Sequence, residues 1–168
     1  MNRKAKEYIQ KLQLEKHSEG GYFKEIYRSG EIISVDKLPR RYKSKRSVST
    51  SIYFLLEGNQ FSSFHRLKSD EIWHFYDGVT VLVYIIDSKG KLEVKRVGSK
   101  MVEGDNFQLT INAGSWFAAE LIDKKGFALI GCTVSPGFDF NDFELAKRDE
   151  LIRQFPDHAE IIRRLTNS

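Results

Sequence analysis

The chain is poor in the features that staple or anchor a small protein. Its single cysteine, Cys132, excludes an internal disulfide framework and any cysteine-rich zinc site. No apolar run approaches the roughly 18 residues that cross a bilayer, so no membrane partner is expected. The first twelve residues, MNRKAKEYIQKL, are charged and lack an apolar core. They do not read as a secretory signal, and the cytoplasm is the default location. Repeats and low-complexity tracts are absent. What remains is ordinary for a globular protein, with 40% hydrophobic and 30% charged residues. At 168 residues the chain suits one domain, 1–168, and is too short to argue for two.

The net charge of +4 is local. Lys37 to Arg46, KLPRRYKSKR, holds six Lys or Arg and no acid, leaving 21 basic residues against 23 acidic, a net of −2. An arm for nucleic acid, with Tyr42 stacking on a base, is one reading. Pro39 and the lack of periodicity favour a mobile, solvated loop instead, and no nucleic-acid partner is expected.

Ala5, Tyr8, Ile9 and Leu12 recur at helical spacing over residues 3–14. Short strand patterns then dominate. Tyr22 to Arg28, Ile32 to Val35, Val48 to Leu56, Val79 to Ile86, Leu92 to Val97, Gln108 to Ile111, Ser115 to Glu120 and Phe127 to Val134 all read as strands. From Asp142 the pattern turns helical. Many short strands with turns at regular intervals predict two antiparallel sheets closing into a barrel between about Tyr22 and Val134, with helices only at the ends.

The chemistry concentrates in Gly58 to Gly78, GNQFSSFHRLKSDEIWHFYDG. Phe61 to Leu67 and Ile72 to Tyr76 alternate around Lys68-Ser69-Asp70, which predicts a hairpin. Its arms carry His65, Glu71 and His74. Glu71 and Trp73 share one strand face and His74 takes the other, so His74 reaches a cavity with Glu71 only across a bulge or at a strand end. Gly104 to Phe117, GDNFQLTINAGSWF, is a second glycine-bracketed strand.

The order Gly58, His65, Glu71, Gly78 resembles the first motif of the cupin superfamily, and Gly104 to Phe117 resembles the second. Further segments are similar to one subfamily, cupin 5, a former domain of unknown function. They are His17 to Phe23, Ser47 to Leu56, Phe64 to Phe75, Gly114 to Ala119, Gly131 to Phe140 and Phe143 to Ala146. The resemblance implies an all-β double-stranded β-helix, the jelly-roll barrel, with short terminal helices. It also implies a homodimer, related in shape to sugar-nucleotide epimerases. A four-ligand cupin metal site would keep only His65 and Glu71, because Leu67 and Phe117 stand where two imidazoles belong. No metal ligand set is therefore assigned, and the cofactor stays open.

The expected site is a barrel cavity that takes a small sugar-like or cyclic ligand. His65 and Glu71 are its catalytic candidates, with Tyr22, Trp73, His74, Trp116, Phe138 and Asp139 binding the ligand. Imidazole titrates near neutrality, which suits His65 to general-base work. Glu71 would orient it, and a tyrosine such as Tyr22 or Tyr84 would return the proton. That is an isomerase or epimerase. The alternatives are a binding module without turnover and a metal-dependent enzyme. A core histidine, aromatic core packing and a turn-capping aspartate are the bland readings of His65, the aromatics and Asp139. Cys132, in the apolar strand ALIGCTV, reads as a small hydrophobe. His17 and His158 carry no assigned role.

Overall fold

A computed structural model describes residues 2–167. Met1 and Ser168, the ends of the expected 1–168 domain, lie outside the described residues. Helix α1 (Arg3–Lys11) starts at Asn2, whose side-chain oxygen accepts from the Lys4 and Ala5 N–H groups. Ala5, Tyr8, Ile9 and Leu12 pack on Leu55, Phe127 and Leu129.

Strands β1 (Glu15–Lys16), β2 (Tyr22–Arg28), β3 (Ile32–Ile33), β4 (Arg46–Ser47) and β5 (Thr50–Glu57) follow. Next come β6 (Phe61–Leu67), β7 (Asp70–Gly78), β8 (Val81–Ile86), β9 (Leu92–Val97), β10 (Gln108–Ile111) and β11 (Trp116–Leu121). Then β12 (Phe127–Ser135) and β13 (Phe143–Leu145) lead to helices α2 (Arg148–Gln154) and α3 (Ala159–Arg164).

Two antiparallel sheets form the barrel, with strand orders β1-β2-β5-β12-β7-β10 and β13-β6-β11-β8-β9, and β3 pairs with β4 in a separate two-stranded sheet. Phe54, Trp73, Val83, Phe117 and Ile130 belong to the core they enclose. Helices α2 and α3 set Leu151, Ile162 and Leu165 against Phe64, Tyr84, Ile86 and Trp116 on the other side of the five-stranded sheet. The all-β barrel with helices at its two ends is therefore what the alternating patterns predict.

Two local expectations change. Residues 58–78 are not a hairpin ladder. Strand β6 pairs with β11 and β13, while β7 pairs with β12 and β10, so the turn at Lys68-Ser69 crosses between sheets. His65 and Glu71 therefore approach one space from opposing walls. Strand β2 pairs with β5 of its own sheet, and with β1 only at Tyr22 and Phe23.

The basic segment is not simply solvated. Tyr42 and Arg46 are each 3% exposed. The Tyr42 hydroxyl donates to the Lys68 carbonyl, and Arg46 makes a two-pronged pair with Asp142 at 2.6 and 2.7 Å. The guanidiniums of Arg41 and Arg46 lie 5.0 and 5.6 Å from the Tyr42 ring centre, and the buried ring is not open to a base.

Candidate functional site

Glycine chemistry places the first functional group. After His17-Ser18-Glu19 the chain turns through Gly20 (φ +115°) and Gly21 (φ +73°). A Cβ on Gly20 would lie 2.1 Å from the Phe61 carbonyl oxygen, and one on Gly21 would lie 2.7 Å from that of Leu55. Two glycines thus let this loop lie directly on the barrel rim. The Glu19 carbonyl accepts from Ser63 N–H at 2.8 Å, and the Glu19 side chain turns into the barrel beside β6.

The Glu19 carboxyl is fully engaged. Oε1 accepts from the Ser62 hydroxyl at 2.7 Å, and Oε2 lies 3.1 Å from His65 Nε2. His17 Nδ1 is 3.5 Å from the same Oε2 and accepts from the Glu19 N–H. His65 Nδ1 sits 2.7 Å from the Ser63 carbonyl oxygen, which only accepts, so Nδ1 carries a hydrogen. In the neutral ring Nε2 then carries no hydrogen and faces the carboxyl as an acceptor. Burial pushes the Glu19 carboxyl up and the His65 imidazole down, which favours a neutral pair with the proton on the carboxyl side.

Glu71 enters from the opposite sheet and is 7% exposed. Burial is the main cause that raises its carboxyl to about 7. No Lys or Arg pairs with it among the described residues. The space between these groups is a cavity of about 360 Å³. Phe23, Phe54, Phe138 and Phe143 line it, and Glu25, Arg28, Asp139 and Phe140 add to its wall.

The expected site residues divide. His65, Glu71, Phe138 and Asp139 line the cavity. Asp139 also does the capping work of the bland reading, since its Oδ1 accepts from the Asn141 N–H at 2.9 Å. Trp73 faces inward, but it packs with Phe54 and Phe117 inside the core and is not among the lining residues. Trp116 is turned away because its neighbour Phe117 faces in; it packs toward α2 and α3 under the Arg66 guanidinium.

His74 has the same fate opposite Glu71 and Trp73, with Nε2 3.2 Å from the Thr133 hydroxyl on the outer face. Tyr22 packs with the α1 cluster, and Tyr84 hydrogen-bonds Glu120 at 2.9 Å outside the barrel. Neither tyrosine lines the cavity, so neither stands where a proton donor is needed.

The carboxyl holding the imidazole is therefore that of Glu19, a residue the sequence reading did not single out, and Glu71 is the unpaired one. Its local signal was the His17-x-Glu19 pair before two glycines. Cys132 lines the cavity too, but burial pushes its thiol well up and keeps it protonated.

The sequence pattern of the Cupin superfamily (DUF985) matches residues 6–146. The chain belongs to that family. An uncharacterized protein of Saccharomyces cerevisiae is 35% identical over 156 residues, covering 85% of this chain and 76% of that one. A crystal structure of a Shewanella oneidensis protein superposes with a TM-score of 0.88 at 35% identity, over 97% of both chains. A hypothetical protein from Leishmania major gives 0.87 at 30% identity, over 98% of this chain and 99% of that one. Bacillus subtilis oxalate decarboxylase shares the cupin fold at a TM-score of 0.54 and 18% identity, matching 89% of this chain and 36% of its own.

Many cupins hold a metal, but this cavity's donors do not fit one. Leu67 and Phe117 present hydrocarbon where the motif has imidazoles, and both His65 nitrogens already have partners. His74 points to the opposite face. Among the described residues no three His, Cys, Asp or Glu side chains converge as a ligand set. Among the described residues no helix is long and apolar enough to cross a membrane.

Proposed function

We propose that this cupin binds a small sugar-like or cyclic molecule in its barrel cavity and moves a proton on it, as an isomerase or epimerase does. The observation that carries this is one buried carboxyl, Glu71, poised at about 7 in the same cavity as the His65–Glu19 pair. Groups with shifted proton affinities in a largely apolar cavity mark acid–base sites. A general acid or base works best when its pKa lies near the working pH. Glu71 as carboxylate takes a proton from a carbon beside a carbonyl, and the electron pair moves onto the carbonyl oxygen. The proton shared by Glu19 and His65 then returns to carbon, and solvent restores both stations.

The second reading, binding without turnover, draws support from Tyr22 and Tyr84, which lie outside the cavity. Native mass spectrometry of the purified protein identifies what co-purifies. Proton NMR of that molecule in D2O then separates the readings. Loss of a carbon-bound proton signal with wild type, but not with Glu71→Gln, is the result expected of an isomerase. Binding with no exchange leaves the module.

We infer also that two copies pair. Ile26 and Tyr27 on β2, Ile32 on β3 and Val48 beyond β4 are large apolar side chains left in solvent. Covering such surface favours association. Sedimentation equilibrium at micromolar concentration tests this, and a monomer contradicts it.

A further inference from the structure

We propose that the molecule taken by this cavity carries a protonated amine on an apolar or ring-shaped body, and no phosphate or carboxylate. This rests on the reading of the cavity as the binding site and names the chemistry it selects. The support is the cavity's charge inventory. Four carboxyls line it, those of Glu19, Glu25, Glu71 and Asp139, against a single guanidinium and no lysine.

That guanidinium is already used. Arg28 donates Nε and Nη2 to the Glu25 carboxylate at 3.0 and 2.7 Å, and Nη1 to the Phe138 carbonyl at 3.1 Å. A buried anion needs a partner to replace its water. A phosphate or carboxylate would find Arg28 occupied and carboxyls around it. An ammonium meets the reverse situation. Glu71 is a buried acid without a cation, and it lies in the same cavity as Phe138 and Phe143, whose ring faces attract positive charge.

An ammonium beside Glu71 also stabilises its ionised form. The groups facing Glu71 are His65 from β6, Cys132 from β12, Trp73 from β7 and Glu19 from the rim loop. Burial pushes Glu19 and Cys132 up and the imidazole down, and Glu71, raised to about 7, changes charge near neutrality.

The test uses three probes of one shape on the full chain: 2-phenylethylamine, 2-phenylethanol and phenylacetate. Binding is followed by NMR shifts of cavity residues such as His65, Phe138 and Phe143. At about pH 8 the amine is expected to bind with a Kd below about 1 mM. It should bind at least about tenfold tighter than the alcohol, with phenylacetate weakest, the scale of one charge-assisted hydrogen bond. Glu71→Gln should weaken the amine about tenfold and leave the alcohol within about twofold.

Should that variant fail to fold, wild type alone decides. Amine affinity should rise about tenfold from about pH 6 to about pH 8 as Glu71 ionises. A flat profile, no amine binding below about 1 mM, or phenylacetate or inorganic phosphate binding as tightly as the amine overturns the proposal. If an anion or the alcohol moves the cavity signals, only the amine class falls. If no probe does, the cavity reading falls with it.

Discussion

Glu19 Oε2 and His65 Nε2 lie 3.1 Å apart, with the far side of the imidazole tied to the Ser63 carbonyl at 2.7 Å. A residue on an N-terminal loop thus fixes the orientation of an imidazole in the barrel wall. Glu19→Ala strands both His65 Nε2 and the Ser62 hydroxyl. Leaving a buried polar group unsatisfied costs about 1–3 kcal/mol. Urea unfolding is expected to show a loss of that size. A change below about 0.5 kcal/mol would mean the pair contributes nothing to the fold.

Stability should depend on Glu71 with a definite sign. Its carboxyl moves from an ordinary 4.5 to about 7 on folding, with burial the main cause. The folded state then holds its proton where the unfolded chain has lost it. Its contribution is full below about 4.5 and declines as pH rises through about 7, by on the order of 3 kcal/mol. Glu71→Gln lacks this term, while the opposite drift from His65, whose imidazole burial pushes down, persists in both proteins and grows in the variant, where the Glu71 charge no longer opposes it. The variant should therefore gain on wild type between about pH 5 and about pH 8. Parallel pH profiles of the two proteins in urea would refute the shift.

The wall that carries Phe138, Asp139 and Phe140 is clamped from the basic segment. Arg46 and Asp142 form a two-pronged pair whose side chains are 2% and 3% exposed. Removing one partner of such a pair costs about 3–5 kcal/mol when the other charge is left alone, and toward the low end here because Lys68 Nζ stays 3.4 Å from Asp142 Oδ1. Arg46→Ala should lose that much in urea, and amide exchange should quicken over 138–143. Equal exchange rates would show that the pair supports the barrel without holding this wall.

Much of this was readable from residues. Period-two alternation gave the strands, and the switch to helical spacing after Asp142 gave the terminal helices. His65 and Glu71 stood out as titratable groups among apolar neighbours. Alternation also foretold that His74 would face away from Glu71 and Trp73, as it does. The rest depended on partners distant in sequence. Lys68-Ser69 looks like any hairpin turn, and only the pairing of β6 with β11 and of β7 with β12 makes it a crossing between sheets. Trp116 and Phe117 are both aromatic, so the sequence does not say which of them faces in. Arg46 reads as one more surface cation until Asp142, 96 residues on, is brought beside it. Glu19 lies 46 residues before His65, and that separation hid the pairing at the centre of the site.

Carbon-detected NMR titration of the glutamate carboxyls tests the central claim most directly. The account predicts one glutamate carboxyl with its midpoint near 7 that disappears in Glu71→Gln. If the resonance lost in Glu71→Gln instead titrates near the ordinary 4.5, Glu71 is not a buried, unpaired acid and the acid–base reading of the cavity fails.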